Sequence, residues 1–187
     1  MAHPAETVLV LGGARSGKSS FAEGLAARAC ARVGASTLTF VATGLPEGAG
    51  DPDWDARIAA HRTRRPSAWT TREMSDREVP ELGTVLEAIG EPALVDSLGS
   101  WVARLGSASP DLAELVDALR TRSARGDPTL LVSEEVGLGV HPSSEAGRSF
   151  RDLLGEVNQA VAGVADRVVL VVAGRALELT GQPVGEG

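Results

Sequence analysis

The segment from Gly12 to Ser19 has the residue types and the spacing of a loop that binds polyphosphate. It reads GGARSGKS, with four residues between Gly12 and the triplet Gly17-Lys18-Ser19. Glycines let backbone N–H groups turn inward around phosphate oxygens, and a helix that begins behind them adds a partial positive charge. In such a Walker A loop the lysine contacts the β- and γ-phosphates and the serine hydroxyl ligates Mg²⁺. The predicted phosphate-binding residues are Gly12, Gly13, Ala14, Arg15, Ser16, Gly17, Lys18 and Ser19.

Lys18 is the only lysine among the 18 lysines and arginines of the chain. An ammonium acts on phosphate oxygens as a compact point charge, and a planar guanidinium does not replace it freely. The position of this single ammonium inside the loop supports a catalytic and binding role for Lys18.

Asp96 ends the apolar run PALVD, where a Walker B carboxylate is expected. A carboxylate at that position can hold Mg²⁺ directly or through water, so Ser19 and Asp96 are the predicted metal ligands. A helix N-cap or a turn residue is the alternative interpretation of Asp96.

A basic cluster lies between Arg57 and Arg65, where four arginines and His61 occur within nine residues of an acidic chain. Arg57 and His61 are four residues apart and would share a helix face. Such a cluster suits a polyphosphate, but a solvated helix end with favourable cations would have the same composition. The residues alone leave both interpretations open.

The composition excludes several classes of protein. The 187 residues suffice for one domain over 1–187, with a flexible tail expected at 181–187. A net charge of −7 argues against a broad nucleic-acid surface. The N-terminus lacks a basic leader region, and no apolar run approaches the roughly 20 residues of a membrane span. We therefore expect a cytoplasmic protein without membrane insertion, in which the single Cys30 stays reduced.

Continuous apolar runs predict a parallel sheet that is covered by helices on both faces, which is an α/β fold. The expected strands are 7–11, 38–42, 92–97, 129–133 and 167–173, with a short final strand at 175–179. The expected helices are 17–32, 54–64, 75–89, 111–125 and 144–162, the third being weak because Pro80 interrupts it.

Six segments in order resemble one family, the bifunctional adenosylcobinamide kinase and adenosylcobinamide-phosphate guanylyltransferase. They are GGARSGKS, FVATG, RIAAHRTRRPSAWTTRE, LVDSLGSW, EEVGLGVHP and RSFRDLLGEVNQAVAGVADRVVLVVAG. The resemblance covers residues 7–174, and the blocks around RIAAHRTRRP and EEVGLG are far more specific than the phosphate loop.

The resemblance implies a RecA-like P-loop fold, a homotrimer, and GTP, ATP and Mg²⁺ as cofactors. It implies phosphorylation of adenosylcobinamide, followed by transfer of GMP from GTP to the resulting phosphate through a guanylylated histidine. That histidine corresponds to His61, whose neutral imidazole is a competent nucleophile near pH 7. Besides the phosphate loop, the implied nucleotide contacts are Ala42, Thr43, Gly44, Arg62, Thr63, Arg64, Arg65, Glu73 and Asp96.

Four features depart from the family pattern or allow other interpretations. Glu134 stands where the family usually has asparagine, which removes two N–H donors, adds a charge and puts the nucleotide preference in question. His141 stands where the family is usually apolar, and the final strand lacks the usual lysine. Trp101 is expected in the core or at a subunit interface, with a corrinoid surface as the alternative.

Alternatives to the bifunctional enzyme remain at this point. They are an enzyme with only one of the two activities, a different P-loop kinase without a covalent intermediate, and a non-catalytic regulatory protein that binds GTP.

Overall fold

The computed structural model describes residues 6–49, 52–106 and 108–180, with the backbone only for Trp54, Arg57 and Arg64. The expected tail at 181–187 lies outside these residues, and a single domain over the whole chain stays a prediction. Within the described part, no helix has both the length and the apolar character needed to cross a bilayer.

One sheet of seven strands organises the structure, in the order β3-β2-β4-β5-β1-β6-β7. Neighbouring strands are parallel except for the antiparallel hairpin of β6 and β7. The strands are β1 Thr7–Gly12, β2 Leu38–Ala42, β3 Trp69–Glu73, β4 Ala93–Asp96, β5 Thr129–Glu134, β6 Arg167–Val172 and β7 Arg175–Leu179. The helices are α1 Lys18–Val33, α2 Pro52–Arg64, α3 Leu82–Glu87, α4 Leu98–Leu105, α5 Leu112–Arg125 and α6 Glu145–Ala162, with a 3₁₀ turn at Val79–Glu81.

Both faces of the sheet are covered, because successive residues of each buried strand point to opposite sides. Leu9 and Leu11 of β1 belong to the core under α3, α4, α5 and α6. Val8 and Val10 belong to the core under α1. This two-sided burial explains why the central strands are continuous apolar runs, and it confirms the predicted α/β class.

Two elements were missed by the sequence analysis, and one helix was predicted too long. β3 lies at the sheet edge, so Thr70, Thr71 and Glu73 are exposed and the strand is not an apolar run. α4 is short, although Leu98, Trp101, Val102 and Leu105 give it a buried stripe. The helix expected over 75–89 begins only at Leu82, after the 3₁₀ turn that contains Pro80.

Trp101 is only 1% exposed, and its indole N–H donates to the Val79 carbonyl. Its packing inside the chain confirms the expected core position. The alternative, in which Trp101 lines a corrinoid surface, is wrong because the side chain is not accessible.

Candidate active site

The phosphate loop joins β1 to α1, as predicted, and its glycines meet two steric requirements. A Cβ at Gly12 would lie 2.6 Å from both the Val171 carbonyl oxygen and Ser16 Oγ. Gly17, which precedes α1, has φ of 96°, a conformation that is strained for other residues. The turn between β6 and β7 braces the loop, because Gly174 N–H donates to Ser16 O at 2.9 Å.

Lys18 lies among protein oxygens. Its Nζ is 3.3 Å from Glu134 Oε1 and donates to Gly13 O at 3.4 Å. Glu134 is held on the opposite side by Ser97 Oγ, 3.1 Å from Oε2. A Cβ at Gly99 would come within 1.9 Å of Glu134 Oε2, so glycine provides the room for this carboxylate. A phosphate that binds Lys18 must therefore compete with Glu134.

Asp96 and Ser19 form an oxygen pair at the end of β4 and the start of α1. Burial raises the pKa of Asp96 to about 6, against the lowering effect of a hydrogen bond from the Ser19 hydroxyl. Glu134 and Glu23 raise this pKa further, and Lys18 lowers it. A desolvated carboxylate beside a hydroxyl fits Mg²⁺, whose charge would favour the ionised form.

His61 is brought to this oxygen pair by α2. Its Nδ1 lies 3.7 Å from Asp96 Oδ2 and 4.0 Å from Glu23 Oε1, and 30% of its side chain is exposed. The structure thus places together three groups that are distant in sequence: the Asp96 carboxylate, the His61 imidazole and the first turns of the phosphate-loop helix.

His61 and Asp96 border a cleft of about 200 Å³ that is open to solvent, whereas no residue of the phosphate loop is in its lining. Its walls come from the carboxyl ends of the parallel strands and from α2, the usual position of ligand sites in open α/β sheets. The lining residues include Ala42, Gly44, His61, Arg62, Arg65, Glu73, Asp96, Ser97, Ser100 and Glu134.

The two described arginines of the basic cluster have partners. Arg62 contacts Glu47 and lies 2.5 Å from Glu73 Oε1. Hydrogen bonds from Arg62 to Glu73 and, to a smaller extent, to Glu47 raise the pKa of the Arg62 guanidinium. Arg65 stacks 3.3 Å above the Phe40 ring centroid and donates to Thr71 Oγ1 at 3.1 Å. Arg62 and Arg65 therefore line the cleft, although 43% of the Arg62 side chain is exposed.

Thr63 and Thr43 are not among the residues that line the cleft. Thr63 is exposed, and its hydroxyl donates to the Ala59 carbonyl of the same helix at 2.9 Å. Thr43 is buried and donates to Ser97 O at 2.6 Å. His141 also lies apart from the cleft lining, exposed, with Nδ1 2.9 Å from Arg151 Nη1.

Two residues near the cleft were missed in the sequence. Arg104 donates to the carbonyls of Thr43, Gly44 and Met74, each at 3.0 Å, and fixes the segment after β2. No local signal marks it, because α4 itself was not predicted. Glu23 follows Ser19 by four residues, and this spacing on a predicted helix would have placed both on one face.

Comparisons with known proteins agree with this architecture. The family described as cobinamide kinase / cobinamide phosphate guanyltransferase matches residues 8–179. The bifunctional adenosylcobalamin biosynthesis protein CobP of Pseudomonas aeruginosa is 38% identical over 185 residues, which cover 94% of this chain and 98% of that protein. The bifunctional adenosylcobalamin biosynthesis protein CobU of Escherichia coli is 33% identical over 186 residues, covering 89% and 96%.

Among solved structures, the flagellar accessory protein FlaH of Methanocaldococcus jannaschii matches with a TM-score of 0.52 at 12% identity, over 91% of this chain and 74% of that one. This likeness concerns the fold alone, and it agrees with the predicted RecA-like arrangement. The extent of the family match and the identity to CobP and CobU show that the chain belongs to the cobinamide kinase / cobinamide phosphate guanyltransferase family.

Proposed function

We propose that this enzyme phosphorylates adenosylcobinamide with a nucleoside triphosphate and then transfers GMP from GTP to that phosphate through His61. The product would be adenosylcobinamide-GDP. The observation that carries the proposal is the position of the His61 imidazole beside Asp96 in the cleft. Glu134, which forms an ion pair with Lys18 of the phosphate loop, lines the same cleft.

In the first reaction the acceptor hydroxyl attacks the γ-phosphorus. Lys18 would bind the β- and γ-phosphate oxygens, and the backbone amides of the loop would hold the remaining oxygens. Ser19 and Asp96 would hold Mg²⁺, which neutralises phosphate charge when it is bound. This part of the site needs no imidazole.

In the second reaction a His61 ring nitrogen attacks the α-phosphorus of GTP. The N–P bond forms, the bond from the α-phosphorus to the bridging oxygen breaks, and pyrophosphate leaves with the electron pair. A phosphate oxygen of the acceptor then attacks the same phosphorus and releases the histidine. Arg62 and Arg65 line the cleft where negative charge accumulates on the leaving group.

Glu73 supports a preference for guanine in the transfer step. A carboxylate can accept two N–H groups from the edge of guanine, whereas adenine lacks this pair of donors. Arg62 lies 2.5 Å from Glu73 Oε1 and would orient the carboxylate. The family resemblance also supports a homotrimer in the cytoplasm, which sedimentation equilibrium of the purified protein would test.

Product separation after incubation with adenosylcobinamide, ATP, GTP and Mg²⁺ tests the proposal. We expect phosphate and then GMP on the acceptor, and we expect the His61→Ala variant to stop at the phosphate. His141→Ala is the matched control, because this histidine is exposed and is not among the residues that line the cleft. GMP transfer by His61→Ala would refute the covalent route, and tight GTP binding without either product would indicate a regulatory protein.

A further inference from the structure

Glu23 is the acidic residue of α1 that faces the candidate nucleophile. Its Oε1 lies 4.0 Å from His61 Nδ1, and only 13% of its side chain is exposed. The Oε1 atom itself is buried. This carboxylate therefore lies close to the imidazole in a largely desolvated position.

Glu23 and Asp96 approach the same nitrogen of His61. The distances from Nδ1 are 4.0 Å to Glu23 and 3.7 Å to Asp96. Because Nδ1 faces two carboxylates, its N–H form is favoured, and the lone pair of the neutral ring is then on Nε2. Both distances exceed a hydrogen bond, but such contacts often tighten only when substrate is bound.

The two carboxylates differ in what else they must do. Asp96 accepts the Ser19 hydroxyl and is the expected metal carboxylate, so Mg²⁺ would draw its oxygens away from the imidazole. Glu23 lies one helical turn beyond Ser19 and is not an expected ligand of the metal. It is the carboxylate that can follow the imidazole when the nucleotide and the metal are bound.

We propose that Glu23 is a positioning residue for guanylyl transfer, which accepts a hydrogen bond from the Nδ1–H group of His61 and directs Nε2 toward the α-phosphorus. This inference rests on the proposed function. When Nε2 bonds to phosphorus and pyrophosphate departs, the proton stays on Nδ1 and the ring becomes more positive. The Glu23 carboxylate stabilises that charge without taking the proton, as the aspartate does in a Ser-His-Asp triad.

The first experiment measures two rates in the intact enzyme and in its Glu23→Gln and Glu23→Asp variants. They are the rate of GMP attachment to His61 and the rate of acceptor phosphorylation. For Glu23→Gln we expect the rate of GMP attachment to His61 to fall on the order of 10- to 100-fold, the range found when carboxylates that orient metal-bound histidines are removed. Glu23→Asp should recover part of the rate. The rate of acceptor phosphorylation should fall far less than the rate of GMP attachment, because that step does not use the imidazole and depends on Glu23 only through its charge near Asp96.

Controls separate this role from a merely structural one. Glu87→Gln makes the same charge change at an exposed residue at the end of α3 that is not among the residues lining the cleft, and it should alter neither rate. Asp96→Asn should reduce both rates, because both reactions use the metal. Parallel loss of both rates in Glu23→Gln, or no loss of either, would overturn the proposal.

The second experiment reads the tautomer of His61 directly and does not depend on turnover. The chain has three histidines, so ¹⁵N-histidine labelling gives a simple spectrum. In mildly alkaline buffer we expect the Nδ1–H form of His61 in the wild type, and a shift toward Nε2–H in Glu23→Gln. An Nε2–H form in the wild type would overturn the role of Glu23 even if His61 is guanylylated, whereas absence of label on His61 would overturn the proposed function instead.

Discussion

Replacement of Glu134 by glutamine should tighten the binding of nucleoside triphosphates. The carboxylate lies 3.3 Å from the only ammonium of the chain and 3.1 Å from Ser97 Oγ. A triphosphate that binds Lys18 must break the ion pair between Lys18 and Glu134. Its phosphates then remain next to the negative charge of Glu134. Glutamine has nearly the same shape, keeps the contact to Ser97 and removes both costs.

The magnitude follows from the geometry and the exposure of the pair. Two unit charges about 4 Å apart interact by ~4 kcal/mol near a protein surface. Glu134 is 28% exposed and solvent screens part of this energy, so we expect a net gain of about 1.4 kcal/mol, or roughly tenfold in Kd. The gain should be largest for GTP, smaller for GDP and negligible for GMP, which lacks the phosphates that Lys18 binds.

Isothermal titration calorimetry in Mg²⁺ buffer, with Glu87→Gln as the control for the change in net charge, measures this effect. GTP affinity should also fall more steeply with salt in Glu134→Gln, since the charge of Glu134 no longer offsets the attraction between Lys18 and the phosphates. Unchanged or weaker GTP binding by Glu134→Gln would refute the competition between Glu134 and the phosphates, and would indicate that the carboxylate assists binding.

Three further predictions concern the same site. Lys18→Ala should abolish both phosphorylation and GMP transfer in the product assay, because both triphosphates use one cradle; normal turnover in either reaction would contradict the shared site. Asp96→Asn should raise the free energy of unfolding at pH 7 without Mg²⁺ on the order of 2–3 kcal/mol, measured by urea unfolding, because burial raises the pKa of Asp96 from 3.8 to about 6. The folded wild type binds that proton more tightly, so its own stability should fall as pH rises from about 4 to about 6, and the asparagine variant should lack this slope. Gly99→Ala should lower the melting temperature, because its Cβ would lie 1.9 Å from Glu134 Oε2 and would displace this carboxylate from Lys18 and Ser97, and Glu134→Ala in the same chain should restore it; a fully stable single variant would show that the Glu134 side chain moves aside without cost, contrary to this prediction.

The sequence predicted the parts of the site that are local. The phosphate loop is one continuous segment whose glycines meet requirements within a few residues, and the central strands are apolar because both faces of the sheet are buried. Asp96 was identified because it ends such a strand. These inferences need only periodicity and short-range chemistry.

The remaining parts depend on how distant segments meet. The position of His61 beside Asp96 follows from the path of α2, which connects β2 to β3. These two strands are parallel neighbours in the sheet. Arg104 binds carbonyls 30 to 61 residues away, and no pattern in α4 announces those partners. Glu134 was noticed because it differs from the family's usual asparagine, but its pairing with Lys18 required the register between β1 and β5.

We expect the His61 imidazole to attack the α-phosphorus of a GTP molecule that the phosphate loop binds. Incubation with GTP labelled at the α-phosphate, followed by denaturation and peptide mapping, tests it most directly. We predict one label, on His61, labile to acid and stable to base, absent from His61→Ala and present in His141→Ala. Label on another residue, or label that persists in His61→Ala, would contradict the account.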